Sequence, residues 1–138
     1  MSDAPGSRRN ISGGAPWESI AGYSRAVRVG PHVHVAGTTA VDGNGDPVAP
    51  GDVAVQTRHA LETIRRALES AGASLGDVVR TRMYVTDMDR WEDAARVHGE
   101  FFGDIRPAST LVEVSRLIDP DLVIEIEADA WIERPEGI

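Results

Sequence analysis

The sequence predicts an α/β (α+β) domain, a mixed sheet with two helices on one face, in the order β-β-α-β-α-β-β. Three observations predict it. Two segments, 53–71 and 91–102, carry apolar residues at helical spacing. Segments 24–38, 77–86 and 108–132, which flank them, carry the period-two alternation of strands. The stretch Arg106–Ala130 reads as two strands joined by a turn, and the second puts Glu125, Glu127 and Asp129 on one side. Three acids on one sheet face are costly unless partners or water answer them.

Taken in order, residues 1–15 are polar and glycine-rich, with Arg8 and Arg9, and read as a flexible leader. They lack the apolar stretch of a signal peptide. Residues 16–133 form a single domain, a size suited to one core, and 134–138 a C-terminal tail. Ser24 to Val29 and Val33 to Thr38 are strands turned by Gly30-Pro31. Asp42-Gly-Asn-Gly-Asp-Pro47 is a loop dense in turn residues. Asp52 is the N-cap of the first helix, Val53, Ala60, Leu61, Ile64, Ala67, Leu68 and Ala71 its apolar stripe, and Gly72 its terminating glycine. Its other face is charged and includes a Glu62–Arg66 pair at i,i+4.

Asp77 to Thr86 is the next strand, with Val79, Thr81, Met83 and Val85 on one side and Arg80, Arg82, Tyr84 and Thr86 on the other. Asp87 or Asp89 caps the second helix. Trp91, Ala94, Ala95, His98, Phe101 and Phe102 form its stripe, and Gly103 ends it. The last strands span roughly 108–116 and 122–132. If both helices cover one sheet face, the other carries Arg80, Arg82, Tyr84, Glu113, Glu125, Glu127 and Asp129. That face is too mixed for a core and too rich in apolar neighbours for plain solvent surface, so self-association would resolve the tension.

Composition excludes several functions. The chain has no cysteine, so disulfides, thiolate nucleophiles and cysteine-ligated metals are out. It has no apolar run long enough to span a bilayer. A net charge of −8 disfavours general nucleic-acid binding. All 14 basic side chains are arginine, a usage that coding bias explains as well as binding does. His32 and His34 share a strand face but lack an obvious third metal ligand. His98 sits on the helical stripe and reads as a packed histidine. No His-Asp pattern lies near Ser109 in sequence, which argues against a nucleophilic serine.

Arg106-Pro-Ala-Ser-Thr-Leu-Val-Glu-Val and Val123-Ile-Glu-Ile-Glu-Ala, with Gly22-Tyr23, Ala36-Gly37, the 77–87 strand and Phe101-Phe102-Gly103, carry a resemblance from about Gly22 to Trp131. The chain resembles the reactive-intermediate deaminase family (Rid, YjgF-type). The resemblance implies a chorismate-mutase-like fold and a homotrimer with helices outside, sheets inside and a small-molecule cleft at each subunit interface. It implies cytoplasmic hydrolysis of enamines and imines, releasing ammonia, without metal or organic cofactor. By the same resemblance Glu125 is the catalytic glutamate that positions water. Tyr23, Ala36, Gly37, Ser109 and Leu111 fall at substrate-binding positions.

Three positions depart from the family's pattern. Ser109 stands where the family has its carboxylate-binding arginine, Ala36 where it has serine, and Ala95 where it has asparagine. Loss of a charged partner in a desolvated cleft costs on the order of 2–5 kcal/mol. Ser109 offers one neutral hydrogen bond in place of a bidentate fork. Arg25, two residues after Tyr23, is the best candidate for a replacement clamp, although an ion pair with Glu125 or Glu127 is the favoured reading of it. The alternative to an enzyme is a trimer that binds a small metabolite without turning it over.

Overall fold

The computed structural model describes residues 7–133. The elements are β1 (Arg8–Ile11), α1 (Pro16–Ala21), β2 (Ala26–Val29), β3 (His32–Thr38), α2 (Val53–Ser70), β4 (Val78–Val85), α3 (Trp91–Phe102), β5 (Ala108–Glu113) and β6 (Ile124–Trp131). They build one six-stranded sheet in the order β1-β2-β3-β6-β4-β5. Every pair is antiparallel except β4–β5, which runs parallel. A parallel neighbour needs a crossover, and α3 supplies it.

The predicted α/β (α+β) class and the β-β-α-β-α-β-β order are borne out, with two elements added in front. Residues 8–11, expected in the leader, instead pair with β2 as an edge strand, Arg8 opposite Val29 and Ile11 opposite Ala26. Pairing satisfies a backbone edge that the polar composition gave no reason to expect. Residues 16–21 form a short helix begun by proline. The rest of the expected leader, 1–6, and the expected tail, 134–138, lie outside the described residues.

α2 follows its sequence signals. The Asp52 side chain accepts from Val55 N at 3.0 Å, and Gly72 takes φ +84 just past the last turn. Leu61, Ile64 and Leu68 are fully buried against the sheet, each worth roughly 1.5–3 kcal/mol in burial. On its charged face Glu62 pairs with Arg65 at 3.0 Å rather than with Arg66, whose guanidinium turns to Thr63. Asp87 caps a single 3-10 turn, 88–90, that leads into α3.

β6 lies at the centre of the sheet, between β3 and β4. Its Ile124, Ile126, Ala128 and Ala130 are buried under the helices, while Glu125, Glu127, Asp129 and Trp131 face the other way. Two expected placements change. Val79 is half exposed because the β4–β6 register slips between Val78 and Arg80, so Val78 takes the buried position. Glu113 lies opposite Val85, on the helix side, and accepts from Met88 N at 2.8 Å. It therefore leaves the acidic face.

Gln56 fastens the end of the sheet that carries Glu125. It is fully buried in α2, and its Nε2 donates to the carbonyls of Val48, Ala49 and Asp121 at 2.8–3.2 Å. Its Oε1 accepts from Val123 N at 2.9 Å. One amide thus saturates four backbone groups of the two loops that flank β6.

Candidate active site

The acidic face is answered by a cross-strand network. Asp129 accepts from His34 Nδ1 at 2.8 Å and from Arg82 Nη1 at 3.1 Å. Glu127 lies 3.6 Å from Arg82 and accepts from the Tyr84 hydroxyl at 2.7 Å. That hydrogen bond, with burial second, holds the Tyr84 phenol above its ordinary pKa. Register produces the arrangement: Arg82 pairs with Glu127 and Tyr84 with Glu125, on the same side of neighbouring strands. His32 stacks its edge on Trp131, with ring centroids 4.4 Å apart. Among the described residues no three His, Asp or Glu side chains are placed to hold a metal ion.

Glu125 stands apart from this network. Among the described residues no ion pair reaches it; Arg82 is engaged by its two neighbours. Its carboxylate lies over the bare Cα of Gly37, so close that any Cβ there would overlap it. Burial raises the Glu125 pKa above the ordinary carboxylate value; nearby Arg25 opposes that and Glu127 adds to it. Arg25 donates from Nη2 to the Gly37 carbonyl at 2.5 Å, and its carbon CZ sits 5.9 Å from the Tyr23 ring centre. The Arg25 Nε is buried with no hydrogen-bond partner among the described residues. Tyr23 precedes β2, and Ala36 lies at the β3 irregularity between Val35 and Thr38, its N–H donating to the Arg25 carbonyl at 2.9 Å. Five expected site residues, Tyr23, Arg25, Ala36, Gly37 and Glu125, thus gather at one end of the sheet.

Ser109 and Leu111 do not join them within the protomer. Parallel register places Ser109 opposite Thr81 and Leu111 opposite Met83, on the helix side. There they line a groove of about 510 Å³ with Met83, Met88, Trp91, Ala95 and His98. Thr81 is fully buried and bonds both Ser109 Oγ, at 2.8 Å, and His98 Nε2, at 2.9 Å. Burial holds the His98 pKa below its ordinary value. Thr81 was invisible as a site residue in the sequence, where it reads as one more alternating strand position. A cavity of about 330 Å³ lies between residues 11–17, the 41–45 loop and α2; Arg25 lines it, whereas Tyr23, Gly37 and Glu125 do not.

A six-stranded sheet under two helices, with a half-buried carboxylate over a glycine and a groove on the opposite face, defines a small α+β protein. Residues 14–132 match the family described as Endoribonuclease L-PSP, and the chain belongs to that family. It is 41% identical over 114 residues to a RutC family protein of Pyrococcus abyssi, covering 83% of this chain and 89% of that one. It is 39% identical over 113 residues to the 3-aminoacrylate deaminase RutC of Acinetobacter baylyi, covering 82% and 89%. Among solved structures, a YjgF/YER057c/UK114 family member from Mycobacterium tuberculosis superposes with TM-score 0.83 at 53% identity, covering 91% of this chain and all of that one. The YjgF gene product of E. coli gives 0.79 at 32% identity, covering 91% and 99%. The chorismate-mutase-like fold expected from the sequence is the fold observed. No helix among the described residues is long and apolar enough to cross a membrane.

Proposed function

We propose that this protein is a cytosolic enamine/imine deaminase, working without metal or organic cofactor, whose site is completed between subunits of a homotrimer. The observation that carries the reading is Glu125: a carboxylate with a burial-raised pKa, seated over Gly37 and beside an unpaired Arg25 N–H. Such a group accepts a proton from water at a pH where an ordinary carboxylate is a weaker base. Water attacks the iminium carbon as Glu125 takes one of its protons. That proton passes to the nitrogen; Glu125 then takes the hydroxyl proton as the carbinolamine collapses to a carbonyl, and ammonia leaves. Kinship with a 3-aminoacrylate deaminase supports the same chemistry.

Interface assembly is supported by the separation of the two clusters. Glu125 and Arg25 lie on one sheet face and Ser109 and Leu111 on the other, so one substrate meets both only where two copies join. β5 is an exposed edge strand, available to a second copy. Endoribonuclease chemistry, which the family's name carries, is opposed by the net charge of −8.

The test uses imines of pyruvate and of pyruvamide, preformed in dry solvent and diluted into buffer. Ammonia release should be accelerated for at least one, and Glu125→Gln should remove about 100-fold or more of that rate. No acceleration of either refutes the deaminase reading. Ser109 favours the alternative, a binding trimer without turnover; ligand binding without ammonia release would select it. Light scattering should give three times the 14.8 kDa protomer mass, and a stable monomer would refute the interface.

A further inference from the structure

The hydrogen-bond chain behind Ser109 has a direction. The Thr81 hydroxyl carries one proton and donates it to Ser109 Oγ at 2.8 Å. With His98 as its Nε2–H tautomer, Thr81 accepts at its other contact, 2.9 Å away. Burial lowers the imidazole pKa, which favours the uncharged ring, and one ring N–H is all that the chain requires. Ser109 Oγ has its acceptor side occupied and its own O–H left over. The chain His98→Thr81→Ser109 therefore ends in a hydroxyl donor at the groove, strengthened by the two links behind it.

Charge is missing from the same groove. Its lining is Met83, Met88, Trp91, Ala95 and Leu111 besides the chain itself. The arginines closest in sequence to Trp91 and Ser109 are engaged elsewhere: Arg90 pairs with Asp93 at 3.3 Å, and Arg106 Nη1 donates to the Gly103 carbonyl at 3.3 Å. Arg25 is held at the Glu125 end by the Gly37 carbonyl. A carboxylate seated against Trp91 and two methionines would lose water and gain no counter-charge.

We propose that the Ser109 groove recognises an uncharged hydrogen-bond acceptor, an amide or ester carbonyl on a flat apolar body, in place of a carboxylate. Thr81 and His98 act as positioning residues through Ser109. This rests on the deaminase reading only in supposing that the recognised group sits on the imine substrate.

The probes are benzoylformamide and benzoylformate, which share the phenyl ring and keto group and differ in charge. Affinities of the full-length protein are measured at neutral pH by ligand-observed NMR. The amide should bind at least tenfold more tightly. Ser109→Ala should weaken the amide about 5- to 10-fold, the worth of one hydrogen bond, and leave benzoylformate unchanged. Ser109→Arg should reverse the order. Thr81→Val, close in shape, should weaken the amide while Ser109 stays in place; circular dichroism controls for folding. Equal or tighter binding of benzoylformate, an amide affinity indifferent to Ser109→Ala, or no amide binding overturns the inference. Ser109-dependent amide binding with no hydrolysis of pyruvamide imine would sink the deaminase reading alone. Hydrolysis with a preference for the carboxylate imine would sink this inference alone.

Discussion

Replacing Gly37 by alanine isolates the position of one carboxylate from the stability of the fold. The Gly37 backbone is in a region open to any residue, so alanine meets no torsional strain. The new methyl would instead collide with Glu125: Cδ would lie 3.0 Å and Cγ 3.4 Å away, with a carboxylate oxygen closer still. A half-buried side chain can swing its end aside, and the core behind β6 is untouched. Loss of stability should be about 1 kcal/mol or less, a fall in Tm of roughly 3–5 °C for a chain of this size. The base would no longer address the same point. General-base catalysis contributes about 10²–10⁴-fold, so misplacing it should slow imine hydrolysis by about 100-fold, near 2.7 kcal/mol in barrier.

The assay is ammonia release from both imines, beside a thermal melt. The decisive comparison is the double variant. If Gly37→Ala acts by moving Glu125, adding it to Glu125→Gln should cost little further activity, whereas two independent effects would multiply. Near-native turnover in folded Gly37→Ala would refute the assignment of Glu125 at this spot. So would multiplicative losses in the double variant.

Three further outcomes follow from particular contacts. Glu125 has a raised pKa in the fold, so its folded state holds a proton to higher pH than the unfolded chain does. Its contribution to stability is therefore full below the unfolded value and lost as pH rises through the folded one; activity, which needs the ionised base, should rise over that same window above the ordinary carboxylate pKa. Glu125→Gln should flatten both profiles, and an unchanged pH–rate curve would contradict the assignment. Gln56→Leu should destabilise by about 2 kcal/mol in urea, because it takes the side-chain partner from the Val48 carbonyl and the Val123 N–H, while the Ala49 and Asp121 carbonyls keep their backbone donors Asp52 N and Gly51 N; a loss under about 0.5 kcal/mol would mean that water replaces the amide. Tyr84 should titrate above the usual phenol range by ultraviolet absorbance, and Glu127→Gln should bring it back down.

Much of the architecture was legible because periodicity reports burial. The α2 stripe, its Asp52 cap and its Gly72 stop all agree with one another, and β6 alternates without a break. What periodicity lacks is a partner. β1 is four residues of Arg and Asn ending in Ile11, and only pairing with β2 makes it a strand. Val79 keeps the phase of Thr81 and Met83 in the sequence, yet a one-residue slip turns it outward. Gln56 reads as a polar helix residue until two distant loops arrive to use its amide.

The site divides along the same line. Glu125 and Gly37 could be grouped from the sequence because β6 and β3 motifs carry them, and Arg25, just before β2, because it follows Tyr23 by two residues. Ser109 could not be placed, because its face depends on the register of β5 against β4, and a parallel register is set by the α3 crossover rather than by alternation. Shifted by one residue, β5 would turn Ser109 toward Glu125 and leave Thr81 facing a backbone-flanking neighbour instead of a hydroxyl. In the register observed, Ser109 is backed by a buried threonine and by His98, whose pKa burial lowers. A lone serine gains directionality and strength from the two links behind it. Ser109, Thr81 and His98 thus form one polar unit, and substitutions across the three should be non-additive while each remains additive with Glu125 on the far face.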